Sequence, residues 1–118
     1  MMDKKEIKRE YRQRAPDMGI FQIRNLENGK VCIGRAMDLN GKLNSEKFQL
    51  KNNMHMNREL QKDFNEMGET RFSFEVLDRL APGNGPDQDY GLELQTLEAM
   101  WLEKLQPFAA HGYHKKKA

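Results

Sequence analysis

Gly19-Ile20-Phe21-Gln22-Ile23-Arg24, followed by Asn28-Gly29-Lys30 and then Val31-Cys32-Ile33-Gly34, is the stretch whose reading decides the fold. Its first part alternates between apolar and polar residues, as a strand with one buried face does. Asn28-Gly29 supplies the positive φ angles that a tight turn needs, and the apolar run resumes directly after it. Together these features predict a β-hairpin.

Upstream, residues 3–14 are charged, with Ile7 and Tyr11 four apart, which predicts a short helix with a narrow apolar stripe. Ala15-Pro16 ends it, because a residue before proline is pushed out of the helical region. Downstream, Asp38 can cap a helix carrying Leu39, Leu43 and Phe48 and running to about Lys51. Gly41 weakens that helix, and the five-residue step from Leu43 to Phe48 is one too long for a regular stripe. Asn57 can cap a second helix with Leu60, Phe64 and Met67 on one face, with Gly68 placed to end it. Phe72, Phe74 and Val76 alternate with Arg71, Ser73 and Glu75 and predict a half-buried strand. Ala81 to Asp89 is rich in Pro, Gly, Asn and Asp and predicts a loop. Leu94, Leu97, Trp101 and Leu105 set out a last helix, stopped by Pro107. Helix, hairpin, two helices, strand and helix make a small α+β domain with a three-stranded sheet.

The chain has 118 residues, enough for one compact domain, with 37% hydrophobic and 32% charged residues. No apolar run approaches the roughly 18 residues of a membrane span. No apolar stretch follows the basic start, so neither a signal peptide nor a membrane association is expected. Cys32 is the single cysteine, which excludes an internal disulfide and fits a reducing, cytoplasmic setting. The net charge is +2, but residues 1–14 hold +3 and the lysines at 115–117 another +3, leaving the middle at −4. Basic ends on a mildly acidic body suit a polyanion such as nucleic acid; solvated termini are the competing explanation. The expected organisation is a basic N-terminal extension over 1–17, a domain over 18–114 and a basic tail over 115–118.

The pattern resembles the GIY-YIG endonucleases, among them intron-encoded homing enzymes and the incision subunit of bacterial nucleotide-excision repair. Gly19-Ile20-Phe21 matches the opening Gly-Ile-Tyr, and Cys32-Ile33-Gly34 matches the Tyr-Ile-Gly that follows. Gln22 to Asn25, Asn28 to Lys30, Leu60 to Asn65, Phe74 to Leu77, Glu98-Ala99-Met100-Trp101 and Gly112-Tyr113 extend the resemblance across about residues 18–114. The resemblance implies a three-stranded antiparallel sheet flanked by helices. It also implies a nucleic-acid partner, with DNA expected, and phosphodiester hydrolysis aided by Mg²⁺ or Mn²⁺.

The same resemblance assigns site positions. Glu98 falls where the family holds its metal ion; a solvated helix residue is the alternative. Phe21 and Cys32 stand where the family carries tyrosines. Phe21 lacks the hydroxyl and is expected to pack, and Cys32 to be a small buried strand residue rather than a base. Lys42 stands at the arginine position, keeping the charge but losing the planar two-point grip on phosphate. Glu46 follows four residues later, where several relatives carry histidine, and either serves as a second carboxylate or is satisfied by Lys42 across one helical turn. His55 matches a histidine of the homing enzymes and is either a substitute base or an incidental surface residue. Arg35 lies beside the motif as a candidate nucleic-acid contact, and His114 replaces an asparagine that often follows Gly-Tyr. With both tyrosines and the arginine replaced, hydrolysis is expected to be weak or lost. The alternatives are an inactive DNA- or RNA-binding module and a protein-interaction domain whose partner the sequence does not define.

Overall fold

The computed structural model describes residues 17–81 and 90–115. The helix expected over 3–14, most of the loop expected over 81–89, and the tail beyond Lys115 lie outside them. The hairpin forms as its sequence requires. Strand β1 (Met18–Asn25) turns through Gly29, at φ +79°, into the antiparallel strand β2 (Val31–Ala36). Asn25 Oδ1 accepts from the Glu27 backbone N–H at 2.9 Å, which closes the start of the turn. Helix α1 (Leu39–Lys51) follows, with the Asp38 carboxylate accepting from the Gly41 N–H at 3.1 Å. Helix α2 (Arg58–Met67) is capped in the same way by Asn57, and Gly68 ends it at φ +92°. Strand β3 (Phe72–Leu80) and helix α3 (Tyr90–Leu105) complete the domain.

The sheet is three-stranded and antiparallel in the order β2-β1-β3, so β1 is the centre strand. Successive side chains on a strand face opposite ways, and both faces of β1 are covered. Phe21 and Ile23 meet Leu39, Leu50, Leu60 and Phe64 from α1 and α2. Ile20 and Ile33 meet Leu97, Trp101 and Leu102 from α3. Phe72, Phe74 and Val76 face the α1–α2 side together, as their alternation predicts. A bulge between Ile20 and Phe21 on the β3 side gives β3 one extra residue. Leu77 joins the α3 cluster by alternation after Val76, and the bulge turns Asp78 to the same face, where it accepts from the Trp101 indole N–H at 3.0 Å.

One expected stripe is corrected. Phe48 is 61% exposed, whereas Leu39, Glu46 and Leu50 are buried. Steps of four, three and four through 39, 43, 46 and 50 follow the 3.6-residue turn, and position 48 points away from that face. A charged residue therefore sits inside the apolar stripe of α1. The open edge of β2 is covered by the chain after α3. The Tyr113 N–H donates to Val31 O at 3.0 Å, and the Ile33 N–H donates to His114 Nε2 at 2.8 Å.

Candidate functional site

Phe21 and Cys32 lie on the same face of neighbouring strands, with Phe21 paired to Gly34 across the hairpin. The Phe21 ring is buried and its far end lies over Gly34, so close that a Cβ there would stand 2.5 Å from the ring. Its place is in the core. Cys32 is half-buried beside it. Burial pushes its thiol up to about 12, with Glu46 and Glu98 adding to the effect and Lys42 opposing it. Lys42 and Glu46 from α1 and Glu98 from α3 thus all act electrostatically on this strand position. At neutral pH such a thiol stays protonated and accepts no proton.

Glu46 enters from the buried stripe of α1 and is held on both oxygens. Lys42 Nζ lies 3.3 Å from Oε1, one helical turn away, and Oε2 meets His55 Nε2. The expectation that Lys42 satisfies Glu46 holds, but it is only half of the arrangement. His55 is 7% exposed, so it is not an incidental surface histidine. Its Nδ1 accepts from the Asn57 backbone N–H at 3.0 Å, which leaves the ring proton on Nε2 to be donated to Glu46. Both nitrogens of His55 are therefore engaged. Burial alone pushes the Glu46 carboxyl up, but the His55 hydrogen bond and the Lys42 charge outweigh it and leave the carboxyl below its ordinary range.

The loop carrying His55 is fixed by the same helix pair. The His55 N–H donates to Gln61 Oε1 at 3.0 Å, and Gln61 Nε2 donates to Leu50 O at 2.8 Å. Sequence reasoning paired Lys42 with Glu46 but named His55 separately and missed that the three form a chain. The available signal was a glutamate inside an apolar helical stripe, since a buried carboxylate requires a partner.

On the opposite side of β2, Arg35 Nη1 donates to Glu98 Oε1 at 2.8 Å, with the two side chains 46% and 20% exposed. Glu98 is therefore not the solvated helix residue that the sequence left as the alternative. His114 packs against the β2 backbone two residues before Arg35, and burial lowers its imidazole below the ordinary value, against the opposing pull of Glu98. Among the described residues no three His, Cys, Asp or Glu side chains group as a ready-made metal cage. Glu98 alone still suits Mg²⁺, a hard cation bound through one or two carboxylates together with waters and substrate phosphate oxygens. Its partly exposed pairing with Arg35 is worth only about 0–1 kcal/mol and is a small cost to exchange. Both oxygens of Glu46, the expected second carboxylate, are already paired, with Lys42 and His55.

No family model matches the chain, and no curated protein matches it. Solved structures do. The catalytic domain of homing endonuclease I-TevI superposes with a TM-score of 0.67 and 26% identity, covering 85% of this chain and 99% of that one. A mutant of the catalytic domain of intron endonuclease I-TevI gives 0.63 and 26%, covering 76% and 84%.

Proposed function

Since the chain belongs to the GIY-YIG superfamily, we propose that it is a nucleic-acid-binding member, acting on DNA, in which phosphodiester hydrolysis is weak or lost. The observation carrying this reading is the closed chain Lys42–Glu46–His55. Hydrolysis needs a group to take a proton from the attacking water and charge to stabilise the phosphoryl oxygens. Phe21 has no hydroxyl, Cys32 holds its proton, His55 uses both nitrogens, and Glu46 is paired on both oxygens. General-base help is worth about 10²–10⁴-fold, and a charge-stabilising donor a similar factor. The two do not multiply simply.

Glu98 would hold Mg²⁺ or Mn²⁺, and the ion when bound supplies charge neutralisation at the phosphoryl oxygens. Without a base, that environment favours holding a phosphodiester over cutting it. Arg35, released from Glu98 as the ion binds, and Lys42, whose ammonium keeps Glu46 on one of its three protons, are then phosphate contacts. The domain comprises residues 18–114 with basic flanks, and its lone thiol suits the cytoplasm.

The test incubates purified protein with labelled duplex DNA and Mg²⁺ or Mn²⁺, and titrates binding at two salt concentrations. Binding that weakens steeply with salt, with little or no cutting, is expected. Robust cleavage that disappears in Glu98→Ala would overturn the loss of hydrolysis. Failure to bind DNA or RNA at low salt would move the domain to a protein partner.

A further inference from the structure

Beside His114 lies a cleft of about 480 Å³ between the start of α2 and residues 113–115. Arg58 and Lys115 line it, and neither has an ion-pair partner among the described residues. Its one carboxylate, Glu59, is already neutralised, with Lys30 Nζ 2.7 Å from Oε1. The same ammonium sits 5.5 Å from the centre of the Tyr113 ring, another wall of the cleft. Three cations thus gather around one acid in a chain whose middle carries −4. The first turn of α2 adds the positive end of its dipole. The volume lies within the range of small-molecule sites and exceeds what a single ion needs.

The position of the cleft follows from the β2 backbone. Ile33 is bonded to His114, which lines the cleft, and Arg35, two residues on along the same face, reaches Glu98. The β2 edge thus links the neighbourhood of Glu98 to the cleft carrying Arg58 and Lys115. We infer that this cleft seats a neighbouring sugar-phosphate unit of the bound nucleic-acid strand, held by Arg58 and Lys115. The inference rests on the nucleic-acid reading above and adds the direction in which the strand leaves the site.

The experiment measures affinity of the full chain for a labelled DNA duplex across a salt series. It compares wild type with Arg58→Gln, Lys115→Gln, their double variant, and Lys104→Gln as a control on α3. Each cleft substitution is expected to flatten the plot of log affinity against log salt by about one unit, and to weaken binding roughly eightfold at 0.1 M salt. The control should retain wild-type slope and affinity. A double variant that binds as wild type does, or a control that loses as much as the cleft variants, overturns this inference and leaves the nucleic-acid reading standing. Wild-type protein that binds neither DNA nor RNA at low salt overturns both.

Discussion

Removing the His55 ring separates a structural clamp from a catalytic base. In His55→Ala, Glu46 loses the donor on Oε2 while keeping Lys42 at 3.3 Å on Oε1. A hydrogen bond to a charged group is worth about 1.5–3 kcal/mol, and the Asn57 N–H bond to Nδ1 adds about 1 kcal/mol. The loss should be about 2–4 kcal/mol, below the full cost of stranding a buried charge because Lys42 remains. Urea unfolding at pH 7, read as a shift in midpoint with unchanged slope, measures it. The companion Glu46→Gln supplies the pH dependence. The folded carboxyl of Glu46 sits below its unfolded value, so its linked stability is present above the unfolded carboxylate range near pH 4.3 and is lost as pH falls through the folded value. The advantage of wild type over Glu46→Gln should therefore hold at pH 7 and shrink on acidification below about pH 5. A His55→Ala cost under about 0.5 kcal/mol, or a difference between wild type and Glu46→Gln that stays flat from pH 7 to pH 3, would refute the clamp.

Other consequences follow from single contacts. Gly34→Ala forces a Cβ to within 2.5 Å of the Phe21 ring and should cost about 1–3 kcal/mol in urea unfolding, with part recovered in the double variant carrying Phe21→Leu. Tyr113→Phe removes the hydroxyl that donates to Asp63 Oδ2 at 2.7 Å and accepts from the buried Asn25 side chain at 3.0 Å; thermal unfolding should register a loss of about 1–3 kcal/mol. The Cys32 thiol, pushed up to about 12, should react with iodoacetamide at pH 8 on the order of 50-fold slower than a free cysteine, after allowing for the greater nucleophilicity of a high-pKa thiolate. Restoring Phe21→Tyr, Cys32→Tyr and Lys42→Arg together should produce Mg²⁺-dependent nicking of supercoiled DNA above the level of the parent protein; no gain would refute the reading that the missing hydroxyls and guanidinium limit hydrolysis.

The parts of the fold legible in the sequence are those set by neighbours along the chain. The hairpin rests on alternation and Asn28-Gly29, and the helix starts rest on Asp38 and Asn57, each of which bonds a backbone N–H three residues on. The bulge at Leu77 was not legible, because it depends on the register between β1 and β3. Phe48 illustrates a different failure: hydrophobicity suggested burial, but helical geometry turned the position outward and placed Glu46 in the core instead. At the site, the separate positions were legible through the family pattern. Their pairings were not, since Arg35 and Glu98 are 63 residues apart and meet only when α3 crosses β2.

Burial and charge together explain why the substituted positions form a consistent set. A glutamate inside the α1 stripe is tolerable only with donors on both oxygens, and Lys42 and His55 supply them from α1 and from the loop before α2. An arginine at position 42 would offer Glu46 a wide planar fork, whereas the lysine ammonium meets a single oxygen and leaves the other to His55. A histidine at 46 in place of the carboxylate would leave the Nε2 proton of His55 without an anionic acceptor. The lysine, the glutamate and the orientation of His55 are thus coupled, and a reversal at one position alone destabilises the others. A return of hydrolysis through Lys42→Arg therefore disturbs this buried chain at the same time as the missing hydroxyls are restored.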